Sequence, residues 1–173
     1  MKSIARTLCA ATLCAFATLA FAQAPAPLVT TLDARKVIAG ADGKESFDVA
    51  TTAKPGDVIE YVATYRNDGK QPLAKLEATL PIPANTEFIA ASAKPANAQA
   101  SLDGQNFQPM PLKRMVRAPD GKETEQLVPT REYRYLRWYP DALGGEKALS
   151  FSARVRVIDD RPPSEPGTKG GGK

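Results

Sequence analysis

The fold of this chain is decided by the stretch KPGDVIEYVATYRNDGKQPL, residues 54–73. Apolar and polar residues alternate there between two turn signals, and a period of two is typical of a half-buried β-strand. Because successive side chains of a strand point to opposite faces, Ile59, Tyr61, Ala63 and Tyr65 share one face. Aromatic residues that alternate with Ile and Ala favour core packing. The pattern predicts a scaffold strand with an inward tyrosine face; a ligand platform made by the two tyrosines is the alternative.

Short runs of the same kind continue on both sides of this strand. Four Asp-Gly dipeptides separate them, and Asp-Gly admits the positive φ angles that tight hairpins need. These dipeptides are Asp42-Gly43, Asp68-Gly69, Asp103-Gly104 and Asp120-Gly121. The predicted strands cover 28–38, 47–51, 58–67, 74–80, 86–91, 98–102, 131–139 and 148–158. With no helical stripe and fifteen prolines, the sequence predicts an all-β fold, an antiparallel β-sandwich of about 7–9 strands over 28–158.

The first 22 residues predict export. Lys2 and Arg6 make a positive start, and the apolar run 7–21 is too short to span a bilayer. Ala20-Phe21-Ala22 then supplies an A-x-A cleavage site. We expect a signal peptide at 1–22 and a periplasmic or secreted protein, with no further membrane span after cleavage.

Cleavage would also change the chemical inventory of the chain. Cys9 and Cys14 would be lost, leaving 173 − 22 = 151 residues with no Cys and no His. A lipoprotein is the competing interpretation, but neither cysteine follows the Leu and small residues that lipidation needs. Without Lys2 and Arg6 the formal charge is 21 − 19 = +2, which argues against a nucleic-acid partner.

The missing residue types exclude several kinds of catalysis. A Ser-His-Asp or Cys-His arrangement cannot be built, and zinc loses its preferred ligands. A glycosidase-type pair of carboxylates remains possible. The acidic residues of the predicted strands and turns are scattered and resemble solvated surface groups: Asp33, Asp48, Asp57, Glu60, Glu77 and Glu87. We therefore predict no catalytic residue, no metal site and no cofactor.

The best candidate for a binding face is the stretch REYRYLRWYP, 131–140. If it is one strand, alternation puts Leu136 and Trp138 on the inner side. The opposite side then carries Arg131, Tyr133, Tyr135, Arg137 and Tyr139. Interleaved Arg and Tyr side chains can stack on sugars or grip an acidic partner. Cross-strand pairing that shields the outer face of the sheet is the structural alternative.

Two other segments bear on organisation. The middle segment 106–130 mixes positive and negative residues, which is typical of a long solvated hairpin; a binding loop is the alternative, since loops on a rigid sandwich often carry function. The leader 23–27 is expected to be flexible and the Pro- and Gly-rich tail 159–173 disordered.

A resemblance to a known family rests on several of these residues. The first part consists of Lys54-Pro55-Gly56-Asp57, Tyr61, Asn67, Gly69, Pro83-Ala84-Asn85 and Phe88. The second part consists of Trp138, Leu143, Gly145 and the apolar positions of 149–157. Together they resemble the bacterial surface-protein repeat known as domain of unknown function number eleven, although Leu80 stands where that family commonly has an Asp. The resemblance implies an immunoglobulin-like sandwich with an adhesive or structural role in the cell envelope and no catalytic residues.

The sequence thus predicts an exported, non-enzymatic β-sandwich module that binds an envelope protein or glycan. Two alternatives stay open. One is a carboxylate-dependent hydrolase of envelope polysaccharide, and the other is a pilus-type subunit or chaperone that acts by strand addition.

The cleavage site generates a first testable expectation. Intact-mass measurement of the protein from the envelope fraction should give a chain that begins at Gln23, because cleavage follows the A-x-A motif. A species that begins with a lipid-modified cysteine would contradict it.

Overall fold

The computed structural model describes residues 28–159. The predicted signal peptide (1–22) and leader (23–27) lie outside the described residues. So does all of the predicted tail except Asp159.

The described part of the chain is built almost entirely from short strands. In chain order they are β1 (Leu28–Ala39), β2 (Glu45–Val49), β3 (Val58–Asn67), β4 (Leu73–Ala74), β5 (Ala78–Pro81), β6 (Thr86–Phe88), β7 (Gln99–Ser101), β8 (Gln108–Pro109), β9 (Lys113–Arg117), β10 (Glu123–Leu127), β11 (Tyr135–Trp138), β12 (Ala142–Leu143) and β13 (Ala148–Val157). A single 3-10 turn, Thr130–Glu132, precedes β11. Across residues 28–159, no helix has the length and apolarity needed to cross a bilayer.

Antiparallel pairing organises the strands into two larger and two smaller sheets. The larger ones have the orders β2-β1-β3-β13-β6 and β5-β11-β7-β8. The smaller ones pair β9 with β10 and β4 with β12. This arrangement confirms the all-β, antiparallel prediction and is consistent with a β-sandwich.

The core lies between the two larger sheets. Trp138 of β11 is 1% exposed, and its ring centroid lies 5.1 Å from that of Phe151 on β13. Its indole N–H donates to the Pro95 carbonyl at 2.7 Å, so the one polar atom of the side chain is satisfied. Leu136 is also fully buried. The predicted inward side of this strand is confirmed.

The quoted stretch also behaves as predicted. Ile59, Ala63 and Tyr65 of β3 are buried, and the half-buried Tyr61 packs against the same core cluster. The tyrosine side of β3 is therefore scaffold.

Some predicted strands are broken in the structure. The predicted run 74–80 divides at Lys75, whose φ is +57°, so β4 pairs with β12 while β5 joins the second large sheet. The predicted run 131–139 is likewise shorter, because the 3-10 turn occupies its beginning and leaves β11 with four residues.

One end of the largest sheet extends beyond the core. Most residues of β1 and all residues of β2 are exposed, although β1 pairs with β3 along ten residues, from Leu28 opposite Asn67 to Val37 opposite Val58. The second large sheet therefore covers β3 and β13 but not the β1–β2 end.

Trp138→Ala tests the position of the core. It should lower the free energy of unfolding by about 3–5 kcal/mol, because it removes a large buried aromatic. The measurement is denaturant unfolding, and Tyr139→Ala is the control because Tyr139 is 47% exposed and should cost far less. A larger loss in the control would contradict the assignment of faces.

Candidate functional site

The five residues predicted to share a strand face are separated in the structure. Only Tyr135 and Arg137 lie on β11, where both are half-buried. Arg131 is exposed in the 3-10 turn, and Tyr139 follows the strand. Tyr133 is 1% exposed, so its placement on an exposed face was wrong. The physical reason is the 3-10 turn, which interrupts the alternation ahead of β11 and turns the Tyr133 ring inward.

Arg137 is held by three neighbours at the surface of the second large sheet. Its Nη1 lies 2.8 Å from Glu77 Oε2, and its Nε donates to Thr79 Oγ1 at 2.9 Å. The guanidinium carbon sits 3.8 Å from the centroid of the Phe107 ring, a cation–π distance. The cation is therefore fixed in place, and these contacts support the shielding alternative for this face.

Tyr135 is fixed by the loop that follows β7. A Cβ at Gly104, whose φ is +78°, would lie 3.0 Å from the Tyr135 ring, so only glycine fits without displacing it. The Asp103 carboxylate accepts bonds from the backbone N–H groups of Gln105 (2.8 Å) and Asn106 (2.9 Å). These bonds, from Asn106 first and then Gln105, hold the pKa of Asp103 well below its usual range, so the ionised carboxylate organises the loop around it.

Tyr133 instead forms one wall of an apolar cleft. Its ring stacks on Phe88 with centroids 6.0 Å apart and an interplanar angle of 18°. Its hydroxyl oxygen accepts the Leu112 backbone N–H at 2.8 Å. The cleft has a volume of about 440 Å³. It is lined by Phe88, Ala90, Ala91, Ala93, Ala96, Met110, Pro111, Thr130 and Tyr133. We call this space the alanine cleft.

The lining of the alanine cleft favours an apolar guest. Its alanines offer only methyl groups, and Ala90, Ala91 and Ala96 are exposed. Met110 adds a flexible side chain that adapts to irregular shapes. The Thr130 hydroxyl donates to Glu87 Oε1 at 2.9 Å, so it has no further proton to donate to a guest. A cleft of this kind suits an aliphatic or aromatic group.

The predicted long hairpin of the middle segment is present beside this cleft. Strands β9 and β10 pair from Lys113 opposite Leu127 to Arg117 opposite Glu123, and nine of their ten residues are exposed. Met115 and Leu127 are 60% and 64% exposed. Because the register puts them diagonally across one face, they form a small apolar spot.

A charge network covers the opposite face of β3. Glu60 is 3% exposed, so treating it as a solvated carboxylate was wrong. Arg35 Nη2 lies 2.7 Å and Arg154 Nε 3.3 Å from its carboxylate oxygens. Arg154 also binds Glu45 through both terminal nitrogens, at 2.8 and 2.7 Å, and this hydrogen bonding lowers the pKa of Glu45. Glu45 and Glu60 are thus bound to one guanidinium. Glycosidase chemistry requires one carboxylic acid with a raised pKa, whereas the pKa of Glu45 is lowered.

No cluster of three acidic or other metal-binding residues occurs within residues 28–159. Comparison of the chain with family models, curated proteins and solved structures finds no match. The resemblance to the surface-protein repeat therefore stays a prediction.

The cleft contains residues that the sequence did not single out. Phe88 was noted in the sequence only as part of the family resemblance, and no sequence pattern indicated Met110. The one available indication was the density of alanine between residues 90 and 100. Small side chains leave space, but a sequence does not show which aromatic residues will border it.

Tyr133→Phe tests the inward position of this tyrosine. It should lower the free energy of unfolding by about 1–3 kcal/mol, because the buried Leu112 N–H loses its acceptor. Chemical denaturation measures the loss, and Tyr139→Phe is the matched control. Equal stability of Tyr133→Phe and the parent would show that this hydroxyl lies in water.

Proposed function

We propose that this chain is an exported, non-enzymatic β-sandwich module of the bacterial cell envelope that binds a partner protein through the alanine cleft. The observation that carries the proposal is the cleft itself, an apolar space of about 440 Å³ lined by alanines and bordered by the buried Phe88–Tyr133 pair. Its guest is an aliphatic or aromatic side chain of the partner.

The rigidity of the cleft supports binding of a preformed kind. Phe88 and Tyr133 are 2% and 1% exposed, and the Tyr133 hydroxyl is tied to the Leu112 backbone. A wall that is already ordered loses little conformational entropy when a guest enters, which favours affinity. The hairpin made by β9 and β10 adds a second contact zone, because Met115 and Leu127 form an exposed apolar spot on it.

Export and fold family are parts of the same proposal. The predicted cleavage site supports a periplasmic or secreted location. A tryptophan of one sheet packed on a phenylalanine of the other, Trp138 on Phe151 at 5.1 Å, supports the immunoglobulin-like type. So do the residues that resemble the surface-protein repeat.

The charge network supports a role without catalysis. The hydrolase alternative needs one proton-donating and one ionised carboxylate across a bond. Glu45 and Glu60 both bind Arg154, and its hydrogen bond to Glu45 lowers the pKa of that carboxyl. No observation favours the hydrolase over binding.

Ala90→Leu tests the cleft. Ala90 is an exposed lining residue, so a larger side chain fills the space without entering the core. Capture of partner proteins from an envelope extract by the tagged protein should fall about tenfold, the effect of losing about 1.4 kcal/mol. The captured proteins are quantified by mass spectrometry, and Ala53→Leu, in an exposed segment outside the cleft, is the control.

A second pair of substitutions separates this cleft from the Arg/Tyr surface of β11. If Ala90→Leu captures the same proteins as the parent while Tyr135→Ser with Arg137→Ser loses them, the binding site is on β11 and the cleft proposal fails. Melting curves of all variants show whether each remains folded.

A further inference from the structure

Among the described residues 28–159, one long edge of the largest sheet has no strand beside it. β3 pairs with one side of β1 from Leu28 to Val37. On the other side, β2 pairs only with Arg35–Ala39. Within residues 28–159, no strand pairs with that side of residues 28–34. We call these seven positions the open edge.

The alternation of hydrogen bonds along β1 and β3 shows which backbone groups of β1 face outward. The Gly40 N–H donates to the Lys44 carbonyl at 2.8 Å, so even-numbered residues of β1 direct their backbone groups toward the β2 side. On β3, the Asn67 N–H donates to the Lys147 carbonyl, just before β13, so odd-numbered residues of β3 face β13 and even-numbered ones face β1. The even-numbered residues of β3 lie opposite odd-numbered residues of β1, so the odd-numbered residues of β1 bond to β3. Both observations agree. The N–H and C=O groups of Leu28, Thr30, Leu32 and Ala34 therefore point out of the open edge.

Other edges of the two larger sheets are short or protected. β2 has five residues, two of which are acidic, and β8 has two residues and ends in Pro109. On β5 the Tyr65 hydroxyl occupies both backbone groups of Thr79, at 2.9 and 3.0 Å. Apart from the single charge of Asp33, the open edge has none of these devices, which natural edge strands use against unwanted pairing.

The composition of the open edge also favours pairing. It reads LVTTLDA, with no Pro, Gly or Lys and with Asp33 as its one charge. Leu32 is 50% and Val29 39% exposed, on opposite faces of the strand. A strand laid against this edge would gain backbone hydrogen bonds and cover apolar surface on both faces.

We propose that the open edge binds the open edge of a second copy of this chain, antiparallel about a two-fold axis, with Thr31 facing Thr31 of the second copy. In this register Leu28 faces Ala34, and Thr30 faces Leu32 of the other copy. Each of these two pairings occurs twice, once on each side of the axis. The resulting four hydrogen-bonded pairs each exchange two N–H···O bonds.

This register follows from geometry. A two-fold axis keeps each face of the sheet on the same side, so even-numbered residues must meet even-numbered residues. Those are the residues whose backbone groups point outward. Moving the register by two residues in one direction drives the second copy into β2, which begins its pairing at Arg35. Moving it in the other direction loses hydrogen bonds. The register about Thr31 fills all seven positions on both copies.

The side chains of the two copies are compatible in this register. Asp33 meets Val29 of the other copy, so no like charges face each other. The threonine pair at the axis and the Thr30–Leu32 pairs are residue types that suit paired strands. The largest sheet of one copy and the largest sheet of the second copy then become one sheet. Its order is β6-β13-β3-β1 followed by β1-β3-β13-β6 of the second copy. The proposal does not depend on export or on the alanine cleft.

Charge substitutions at the axis test the dimer and its register together. Protein expressed from the full sequence should be a dimer at about 100 µM by light scattering and sedimentation, since micromolar association is nearly complete there. Thr31→Lys and Thr31→Glu should each weaken the dimer at least about tenfold, because like charges then face each other across the axis. An equimolar mixture of the two variants should regain the dimer, with one Lys and one Glu at the axis.

The control is Thr52→Lys, an exposed threonine outside the open edge, which should remain dimeric. Circular dichroism and melting curves show that the Thr31 variants are folded, as expected for an exposed side chain. A parent protein that stays monomeric at about 100 µM overturns the proposal. A dimer unaffected by Thr31→Lys overturns it as well, and so does a mixture of the two variants that dimerises no more tightly than either variant alone.

Discussion

The hydroxyl of Tyr65 joins the two larger sheets. It accepts the Thr79 backbone N–H at 2.9 Å and donates to the Thr79 carbonyl at 3.0 Å. The ring of the same tyrosine meets Phe151 edge-on with centroids 5.9 Å apart, and Phe151 contacts Trp138 of the second sheet. One side chain thus closes the edge of β5 and packs in the core. Because both backbone groups of Thr79 are satisfied by it, β5 presents no free pair at this point.

β3 supports this interaction because its inner face lies in the core and part of its outer face is covered by ion pairs. On the inner face it carries Tyr65, and on the outer face it carries Glu60 between two guanidiniums. Its last residue, Asn67, is fully buried, and its side-chain amide donates to the carbonyls of Gln71, Leu143 and Gly144 at 2.8 to 3.2 Å. A central strand with neighbours on both sides and polar groups that are all bonded is the most strongly specified element of such a fold.

Sequence reasoning succeeded where one local pattern determined the outcome. Alternation fixed the faces of β3 and the inward position of Trp138, because a one-residue slip would expose the core residues. It failed at Tyr133, whose direction depends on the 3-10 turn before it, and at Glu60, whose burial depends on arginines from β1 and β13 that are distant in sequence. The Asp-Gly rule held at Gly43, Gly104 and Gly121, which have positive φ. Gly69 does not have a positive φ. In that turn Asn67 Oδ1 accepts the Gly69 N–H instead. The alanine cleft could not be predicted, because space between residues is a property of the assembled sheets.

The positions of the cleft and the open edge within one sheet have a consequence for binding. The cleft lies beside β6 and the open edge on β1, near opposite sides of the order β2-β1-β3-β13-β6, so pairing of two copies leaves both clefts free. Six strands would lie between the two β6 strands in the proposed dimer, which makes seven strand spacings and a span of about 34 Å at about 4.8 Å per spacing. A partner that offers two apolar side chains at such a separation would bind both copies, and the second contact would form at a high effective concentration. Under the proposed function, two apolar clefts held on one dimer would therefore bind such a partner more tightly than one cleft alone.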